Sequence, residues 1–369
     1  MKLMKTTEAV GQVLCHDITQ IIPGVKKDAV FRKGHIITKE DIPVLLSVGK
    51  ETIYIWENDE TMMHENEAAE VLYRMSACGT NSNETDAEGH CEATQSGDLD
   101  DIVSKMHPSP VKEGKIEVIA DCDGLLKVDS EKLKKVNSFG EMMIATRHGN
   151  TTVKKGDKLA GTRIIPLVIK KDKLEAASHI CDDGPILDIK PFVVRKAAII
   201  TTGNEVFHGR IQDAFTPVIE KKIAEFGAHM MFHEVFDDDD QKITDGCLRA
   251  IEAGAEIVFC TGGMSVDPDD KTPLAIKNTG ARIVSYGSPV LPGAMFLLSY
   301  YDAGDRLVPI CGLPGCAMYN KRTIFDIVLP RLMACDMILA DELAGLGEGG
   351  LCLNCDVCTF PNCGFGKGF

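Results

Sequence analysis

Apolar runs of strand length alternate with helical patterns through residues 195–340. Lys196–Thr202 has the length of a buried strand and runs into Gly203, Thr216-Pro217 is typical of a helix start, and the acidic run Asp237–Asp240 is expected to cap the helix after it. The predicted elements are strands at Lys196–Thr202, His229–Phe236, Glu256–Cys260, Arg282–Tyr286 and Leu307–Cys311 and helices at Thr216–Phe226, Ile243–Ala253 and Ala317–Met333. This alternation predicts an α/β fold, a doubly wound and mostly parallel sheet with helices on both faces.

The patterns outside this region are shorter and divide the chain further. The predicted segments are an N-terminal segment at 1–75, an acidic flexible linker at 76–101, a smaller, mostly β domain at 102–194, the α/β domain at 195–340 and a C-terminal Cys-rich tail at 341–369. In the N-terminal segment, Thr38 is expected to start a helix over Asp41–Val48, before a strand at Thr52–Trp56 and a helical stretch at 57–73. The β domain is predicted from short runs at Ile116–Ala120, Met142–Ala145, Thr152–Val153 and Arg163–Ile169.

Charge and composition narrow the function. Asp and Glu number 55 against 40 Lys and Arg, which gives a formal net charge of −15, and there is one Trp. An acidic surface with few aromatic side chains disfavours binding to nucleic acid. No apolar run approaches the roughly 20 residues that span a bilayer, and no apolar signal segment follows the first lysines. We therefore expect a cytoplasmic protein with a small-molecule ligand, without nucleic-acid or membrane partners.

Three of the predicted strands run into glycines, at Gly203, at Gly262-Gly263 and at Gly312 with Gly315. The carboxyl ends of strands line the ligand crevice of an open α/β sheet, and glycine lets the main chain approach a ligand closely. Polar side chains lie beside these glycines, namely Thr202, Asn204, Glu205, Asp213, Ser265, Asp267 and Asp270. Each glycine alone is explained by the end of a strand, but the three loops together favour a small-ligand site.

Four motifs in this region resemble one known family. They are Ala198-Ile-Ile-Thr-Thr-Gly-Asn-Glu-Val, Thr261-Gly-Gly-Met-Ser-Val-Asp-Pro-Asp-Asp-Lys-Thr-Pro, Leu291-Pro-Gly-Ala and Gly312-Leu-Pro-Gly. Their order and spacing resemble the molybdenum-cofactor biosynthesis domain, the molybdopterin-binding fold, and within it the molybdopterin molybdenumtransferase branch. The resemblance covers residues 195–334, and residues 28–56 resemble the N-terminal segment of that branch more weakly.

The resemblance implies a ligand, a reaction and a set of site residues. The ligand is molybdopterin, free or adenylylated; with Mg²⁺, molybdate is inserted between its dithiolene sulfurs and adenylate is released. Asp270 matches the family's essential Asp, and Asp267 is expected to act with it in handling Mg²⁺ and the pyrophosphate. The ligand-binding residues are expected to be Thr202, Gly203, Asn204, Glu205, Asp213, Gly262, Gly263, Ser265, Thr272, Pro292, Gly293, Gly312, Pro314 and Gly315. The family also implies a homodimer.

Departures from the family pattern keep two other functions open. Asn204 stands where the family carries Asp, and Leu291 and Ala294 replace two family lysines. These losses favour a non-catalytic carrier of molybdopterin or of the finished cofactor, which would dock a molybdoenzyme through its Cys-rich tail. The Gly-Gly loop is also shared with competence-inducible proteins, which makes a nucleotide hydrolase the third hypothesis.

The tail carries four closely spaced cysteines, Cys352, Cys355, Cys358 and Cys363, in the pattern C-x₂-C-x₂-C-x₄-C. Four thiolates within 12 residues suit tetrahedral Zn²⁺ or an iron–sulfur cluster. Disulfides among them are disfavoured in a reducing cytosol. The sequence therefore predicts a metal centre without specifying the metal.

Overall fold

The computed structural model describes residues 2–22, 26–55, 59–78, 105–265, 267 and 270–368. Most of the predicted acidic linker, from residue 79 onward, lies outside the described residues, as does Trp56. The chain forms two compact units. The first unit comprises residues 1–121, 128–147 and 155–188, and the second comprises 122–127, 148–154 and 189–369. None of the described helices is both long enough and apolar enough to cross a membrane.

Short strands and helices make up the chain before residue 191. They are β1 (Lys2–Lys5), β2 (Ile18–Ile22), β3 (Lys26–Phe31), α1 (Asp41–Ser47), β4 (Thr52–Ile55), β5 (Met62–His64), α2 (Glu65–Ala77), β6 (Met106–Pro108), β7 (Lys115–Ala120), β8 (Gly124–Val128), α3 (Ser130–Ser138), β9 (Met142–Thr146), β10 (Thr151–Val153), β11 (Lys158–Ile164), β12 (Val168–Lys170), α4 (Lys171–Ser178) and β13 (Leu187–Lys190). In the first unit, β6-β7-β11-β9 form an antiparallel sheet, and β1 with β4, β2 with β3 and β5 with β12 form pairs.

Several sequence predictions in this part need correction. Residues 57–58 of the helix expected at 57–73 lie outside the described residues; from residue 59 onward the helix begins only at Glu65, because Met62–His64 pairs with β12 instead. The run expected at Arg163–Ile169 is divided between β11 and β12. The mostly β region also contains α3 and α4; α3 begins where the Asp129 carboxylate accepts a hydrogen bond from the Lys132 amide. Thr38 donates to the Asp41 carboxylate rather than capping α1 with its own side chain.

A six-stranded sheet forms the centre of the second unit. Its elements are β14 (Lys196–Thr202), α5 (Asn204–Phe207), α6 (Thr216–Ala224), β15 (His229–Phe236), α7 (Asp240–Glu252), β16 (Ile257–Thr261), α8 (Thr272–Asn278), β17 (Arg282–Tyr286), β18 (Leu297–Asp302), β19 (Leu307–Leu313), α9 (Ile324–Met333) and α10 (Ala340–Gly345). The strand order is β15-β14-β16-β19-β18-β17. The first four strands are parallel, β18 runs antiparallel to them, and β17 pairs antiparallel with β18 and so runs in the direction of the first four. The predicted α/β class with a mostly parallel sheet is confirmed.

Helices cover both faces of this sheet. On one face, side chains of α6, α9 and α10 pack with Ile199 and Phe259. On the other face, side chains of α7 and α8 pack with Ile200 and Cys260. Neighbouring residues of one strand point to opposite faces, so each central strand contributes to both cores. Burial on both sides explains why these strands read as continuous apolar runs.

Carboxylates accept hydrogen bonds at the starts of three helices in the second unit, α6, α7 and α9. Asp239 accepts hydrogen bonds from two amides of the first turn of α7, as the acidic run predicts. Thr216 does not cap α6; Asp213 accepts from its amide and from that of Phe215. The long helix predicted from Ala317 begins only at Ile324, because Thr323 and Asp326 form a capping box there.

Candidate functional site

The carboxyl ends of β14, β16 and β19 lie side by side and open into two adjoining cavities. The first cavity has a volume of about 600 Å³ and the second about 450 Å³. Phe215, Gly262, Gly263 and Asp270 line both. The loop after β16, which carries the Gly-Gly pair, therefore borders the two cavities.

The first cavity is strongly acidic. Its lining residues include Thr201, Thr202, Gly203, Asn204, Glu205, Gln212, Asp213, Phe215, Asp238, Gly262, Gly263, Asp267, Asp270 and Met318. Five of them carry carboxylates, and the described lining residues include no Lys or Arg. A phosphate placed here meets negative charge, so an anionic ligand needs a cation with it.

The second cavity is less polar and rich in sulfur. It is lined by Phe215, Gly262, Gly263, Met264, Ser265, Asp270, Ala294, Met295, Leu313, Pro314, Gly315, Cys316 and Tyr319. Tyr319 is 73% exposed at the rim. The cavity thus offers apolar and aromatic surface beside the Asp270 carboxylate, which suits a ring system with a charged substituent.

Glycine at position 262 is required by a close approach of two main-chain segments. Gly262 has φ +81°, and a Cβ built there would lie 2.1 Å from the carbonyl oxygen of Thr202. At Gly263 (φ +54°) the same atom would lie 2.8 Å from Thr272 Oγ1. The loop after β16 can therefore lie against the end of β14 only with glycine at these positions.

Threonine hydroxyl groups hold this loop in place. Thr202 Oγ1 lies 3.1 Å from the Thr261 carbonyl oxygen and 3.0 Å from Thr272 Oγ1. Thr272 Oγ1 donates in turn to the Gly262 carbonyl oxygen at 2.9 Å. Thr202, Thr261 and Thr272 are buried, so the bonds are shielded from water. Thr272 supports the loop from beneath and does not line either cavity.

Asp213 is bound by several donors at the wall of the first cavity. One of its carboxylate oxygens, Oδ2, lies 3.0 Å from Thr201 Oγ1 and 2.5 Å from Thr216 Oγ1, and Oδ1 accepts from the Phe215 amide at 2.8 Å. Burial by itself raises the pKa of Asp213, but these hydrogen bonds outweigh it and hold the pKa below its ordinary value. Asp213 is therefore a carboxylate that organises the start of α6.

Asp267 and Asp270 form a tight turn on the loop after β16. The Asp270 amide donates to the Asp267 carbonyl oxygen at 3.0 Å, and the Asp267 amide lies 3.3 Å from Asp270 Oδ2. Asp267 is exposed and Asp270 half-buried. One carboxylate lines the first cavity and the other lines both, so the turn places two negative charges where the cavities join.

The structure divides the predicted ligand-binding residues into two groups. Those that line a cavity are Thr202, Gly203, Asn204, Glu205, Asp213, Gly262, Gly263, Ser265, Asp267, Asp270, Pro314 and Gly315. The other four predicted residues line neither of the two cavities; they are Thr272, Pro292, Gly293 and Gly312. A Cβ at Gly293 would lie 2.4 Å from an Ile324 side-chain carbon, and at Gly312 it would lie 2.5 Å from Met264 Sδ, so both glycines serve packing.

Sequence reasoning missed several residues of the cavity walls. Asp238, in the acidic run interpreted as a helix cap, accepts a hydrogen bond from the Asn204 amide at 3.2 Å and lines the first cavity. Met264, Met295 and Tyr319 line the second. No local signal distinguishes such side chains, because their position depends on how separate loops come together.

The four tail cysteines lie apart from these cavities. Cys352, Cys355, Cys358 and Cys363 are free thiols that line a third cavity of about 250 Å³. Across the described ranges, no three or more His, Cys, Asp or Glu side chains already stand together as metal ligands. The predicted tetrathiolate centre is thus not preformed, and it stays a prediction.

Comparison with known proteins assigns the α/β region to a family. Residues 198–334 match the family model described as "Probable molybdopterin binding domain". This part of the chain belongs to the molybdenum-cofactor biosynthesis family. The match covers the molybdopterin-binding domain from β14 into α9 and includes all residues that line the first two cavities. Residues 3–57 match a second model, described as a domain of unknown function.

Individual relatives match only a part of this chain. A molybdopterin adenylyltransferase of Pyrococcus furiosus is 26% identical over 131 residues, which is 32% of this chain and 77% of that protein. A competence-damage inducible protein of Bacillus velezensis is 29% identical over 90 residues, 24% of this chain, and the match spans only about a fifth (21%) of the relative's length. The crystal structure of the tungsten cofactor synthesizing protein MoaB from Pyrococcus furiosus matches at 18% identity and a TM-score of 0.30, covering 38% of this chain and 88% of that one.

Proposed function

We propose that this protein binds adenylylated molybdopterin across the two adjoining cavities and inserts molybdate into it, releasing AMP. The observation that carries the proposal is the position of Asp267 and Asp270, whose turn lies where the acidic and the sulfur-lined cavities meet. A ligand with a pterin at one end and an adenylate at the other places its pyrophosphate at this junction. The membership of residues 198–334 in the molybdopterin-binding family supports the ligand class.

The charge of the site supports a requirement for Mg²⁺. The described lining residues supply carboxylates and no Lys or Arg, so these residues do not themselves neutralise a pyrophosphate. Mg²⁺ is commonly held by one or two carboxylates together with substrate phosphates, and Asp267 and Asp270 fit that donor set. When bound, Mg²⁺ supplies neutralisation of the charge that develops on the departing phosphate. Asp267 and Asp270 orient it, while Gly262 and Gly263 let the main chain approach the phosphates.

The missing family lysines give one alternative a specific basis. Ala294 lines the second cavity at a position where a cation is expected in the molybdenumtransferase branch. A carrier that holds molybdopterin or the finished cofactor does not need that cation for chemistry. In the carrier hypothesis, a molybdoenzyme partner receives the cofactor through the Cys-rich tail. Under both hypotheses we expect a homodimer, because the family resemblance implies one.

An anaerobic insertion assay tests the proposal. The full chain is mixed with adenylylated molybdopterin, molybdate and Mg²⁺, and AMP release is followed together with activation of an apo-molybdoenzyme. We expect AMP release that depends on molybdate and Mg²⁺ and falls by at least about 100-fold in Asp270→Asn. The matched control is Asp305→Asn, which removes an exposed carboxylate paired with Arg306.

Three other results contradict the proposal. Tight binding of the pterin without AMP release identifies a carrier. AMP release that does not depend on molybdate identifies a nucleotide hydrolase, the activity suggested by the resemblance to competence-inducible proteins. Full activity in Asp270→Asn removes Asp270 from the reaction.

A further inference from the structure

The four tail cysteines converge on one cavity although they are spread over 12 residues. The cavity of about 250 Å³ is lined by Lys321, Arg322, Gly349, Leu351, Cys352, Leu353, Asn354, Cys355, Cys358, Thr359, Phe360, Cys363, Gly364 and Phe365. Cys352 and Cys363 are half-buried and pack against the core, whereas Cys355 and Cys358 are exposed. Two of the four thiols therefore lie next to the core, and the other two are exposed to solvent.

Main-chain hydrogen bonds anchor the cysteine segment to the second unit. The Leu291 amide donates to the Gly350 carbonyl oxygen and the Cys352 amide donates to the Leu291 carbonyl oxygen, both at 2.8 Å. The far end is anchored as well, because the Gly366 amide donates to the Gly349 carbonyl oxygen at 3.0 Å. Both ends of the loop are therefore held together, which lowers the entropy cost of gathering its thiols.

The backbone between the first two cysteines includes one residue in the left-handed region. Asn354, between Cys352 and Cys355, has φ +50°. Residues with positive φ are uncommon outside glycine, and Asn is among those that tolerate it. The C-x₂-C segment is therefore irregular chain at this point, neither helix nor strand.

Cations stand beside the thiols. Arg322 lines the same cavity as Cys358, its guanidinium lies 5.1 Å above the Phe360 ring, and it pairs with Asp326 at 2.8 Å. Lys321 Nζ lies 3.3 Å from the Asp356 carbonyl oxygen, inside the same loop. Zn²⁺ with four thiolates carries a net charge of −2, and the positive charge of Lys321 beside the loop lowers the electrostatic cost of placing it there.

We propose that Cys352, Cys355, Cys358 and Cys363 bind a thiophilic metal centre. Zn²⁺ is the probe: it binds as four thiols lose their protons, forming four Zn–S bonds and releasing four H⁺. The described residues hold no group of three ready-placed ligands, so binding draws the sulfurs inward into the cavity that they line. An iron–sulfur cluster uses the same four thiolates. The proposal does not depend on the function proposed for the pterin site.

The experiment measures metal in the full chain, purified anaerobically with a phosphine reductant and reconstituted with Zn²⁺. Elemental analysis should find about one Zn²⁺ per chain, or iron with visible absorption where a cluster forms. Cys355→Ser and Cys358→Ser change exposed side chains, and each should reduce metal retention against a chelator by at least about tenfold. The control Cys335→Ser changes an exposed cysteine outside the cavity and should retain the metal as well as wild type does.

Two outcomes overturn the proposal. One is a reconstituted wild-type chain that holds neither zinc nor iron, with all four thiols open to alkylation. The other is equal metal retention by wild type and both tail variants, which places the metal elsewhere. Circular dichroism of the variants shows whether they are folded, and a folded variant without metal separates loss of a ligand from loss of structure.

Discussion

A buried carboxylate in the second unit gives the most quantitative prediction. Asp336 is 5% exposed and pairs with three cations: Lys127 Nζ at 2.8 Å, Lys190 Nζ at 2.6 Å and Arg331 Nε at 2.6 Å. These contacts tie Lys127 and Lys190 to the turn after α9. Asp336→Asn keeps the shape of the side chain but leaves three positive charges without their shared counter-charge.

The size of the effect follows from the pKa of Asp336. Burial alone raises this pKa, but hydrogen bonds from Lys127 and Lys190 and the charge of Arg331 lower it from 3.8 to about 2. The difference of just under two pH units corresponds, at roughly 1.4 kcal/mol per pH unit, to about 2–3 kcal/mol of stability. That contribution is complete above pH 3.8 and disappears as the pH falls toward 2. Because the cations also lose their partner, we expect Asp336→Asn to cost about 2–4 kcal/mol at pH 7.

Urea unfolding of the full chain measures this cost for the transition of the second unit. The difference between wild type and Asp336→Asn should be largest at pH 7 and shrink by about 2 kcal/mol as the pH approaches 2. Asp305→Asn is the matched control, since its exposed pair with Arg306 should contribute less than about 1 kcal/mol. A difference below about 0.5 kcal/mol at pH 7, or one that does not change with pH, contradicts a stabilising role for the Asp336 charge.

Three further predictions concern the loops and caps. Gly262→Ala should weaken binding of adenylylated molybdopterin by at least about tenfold in equilibrium dialysis, because its Cβ meets the Thr202 carbonyl oxygen. The control Gly280→Ala, at a similar φ of +84° but with open space around the new Cβ, should bind the ligand normally. Equal affinity of the two variants contradicts the packing argument. Thr202→Val should cost about 1–3 kcal/mol of unfolding free energy, since it leaves buried partners unsatisfied, and an unchanged urea midpoint would count against this bond network. Asp239→Ala should cost about 1 kcal/mol by losing the cap of α7, measured in the same way, and a cost under about 0.3 kcal/mol would show that water replaces the cap.

Local pattern predicted five of the six strands of the central sheet; β18 was missed, and β19 extends two residues beyond its predicted end. The predicted bounds of β14, β15 and β17 match the structure residue for residue, and β16 is displaced by one. β14 and β16 are buried on both faces, so their continuous apolar runs carry the signal by themselves. The Gly-Gly pair after β16 was also evident, because glycine is the residue that a positive φ requires.

Partners distant along the chain decided the rest. Met62–His64 is a strand because β12, about 105 residues later, pairs with it, and Asp213 rather than Thr216 caps α6 because of how the loop folds back. Residue patterns alone were enough to predict the α/β architecture, the family resemblance of residues 198–334 and three glycine loops, two of which carry carboxylates. The place of Asp238 in the wall of the first cavity and the hydrogen bond from Thr272 to the loop depend on the tertiary structure. The physical reason is that periodicity encodes which face a residue takes within its own element, whereas a cavity wall is made by contacts between elements that no local pattern records.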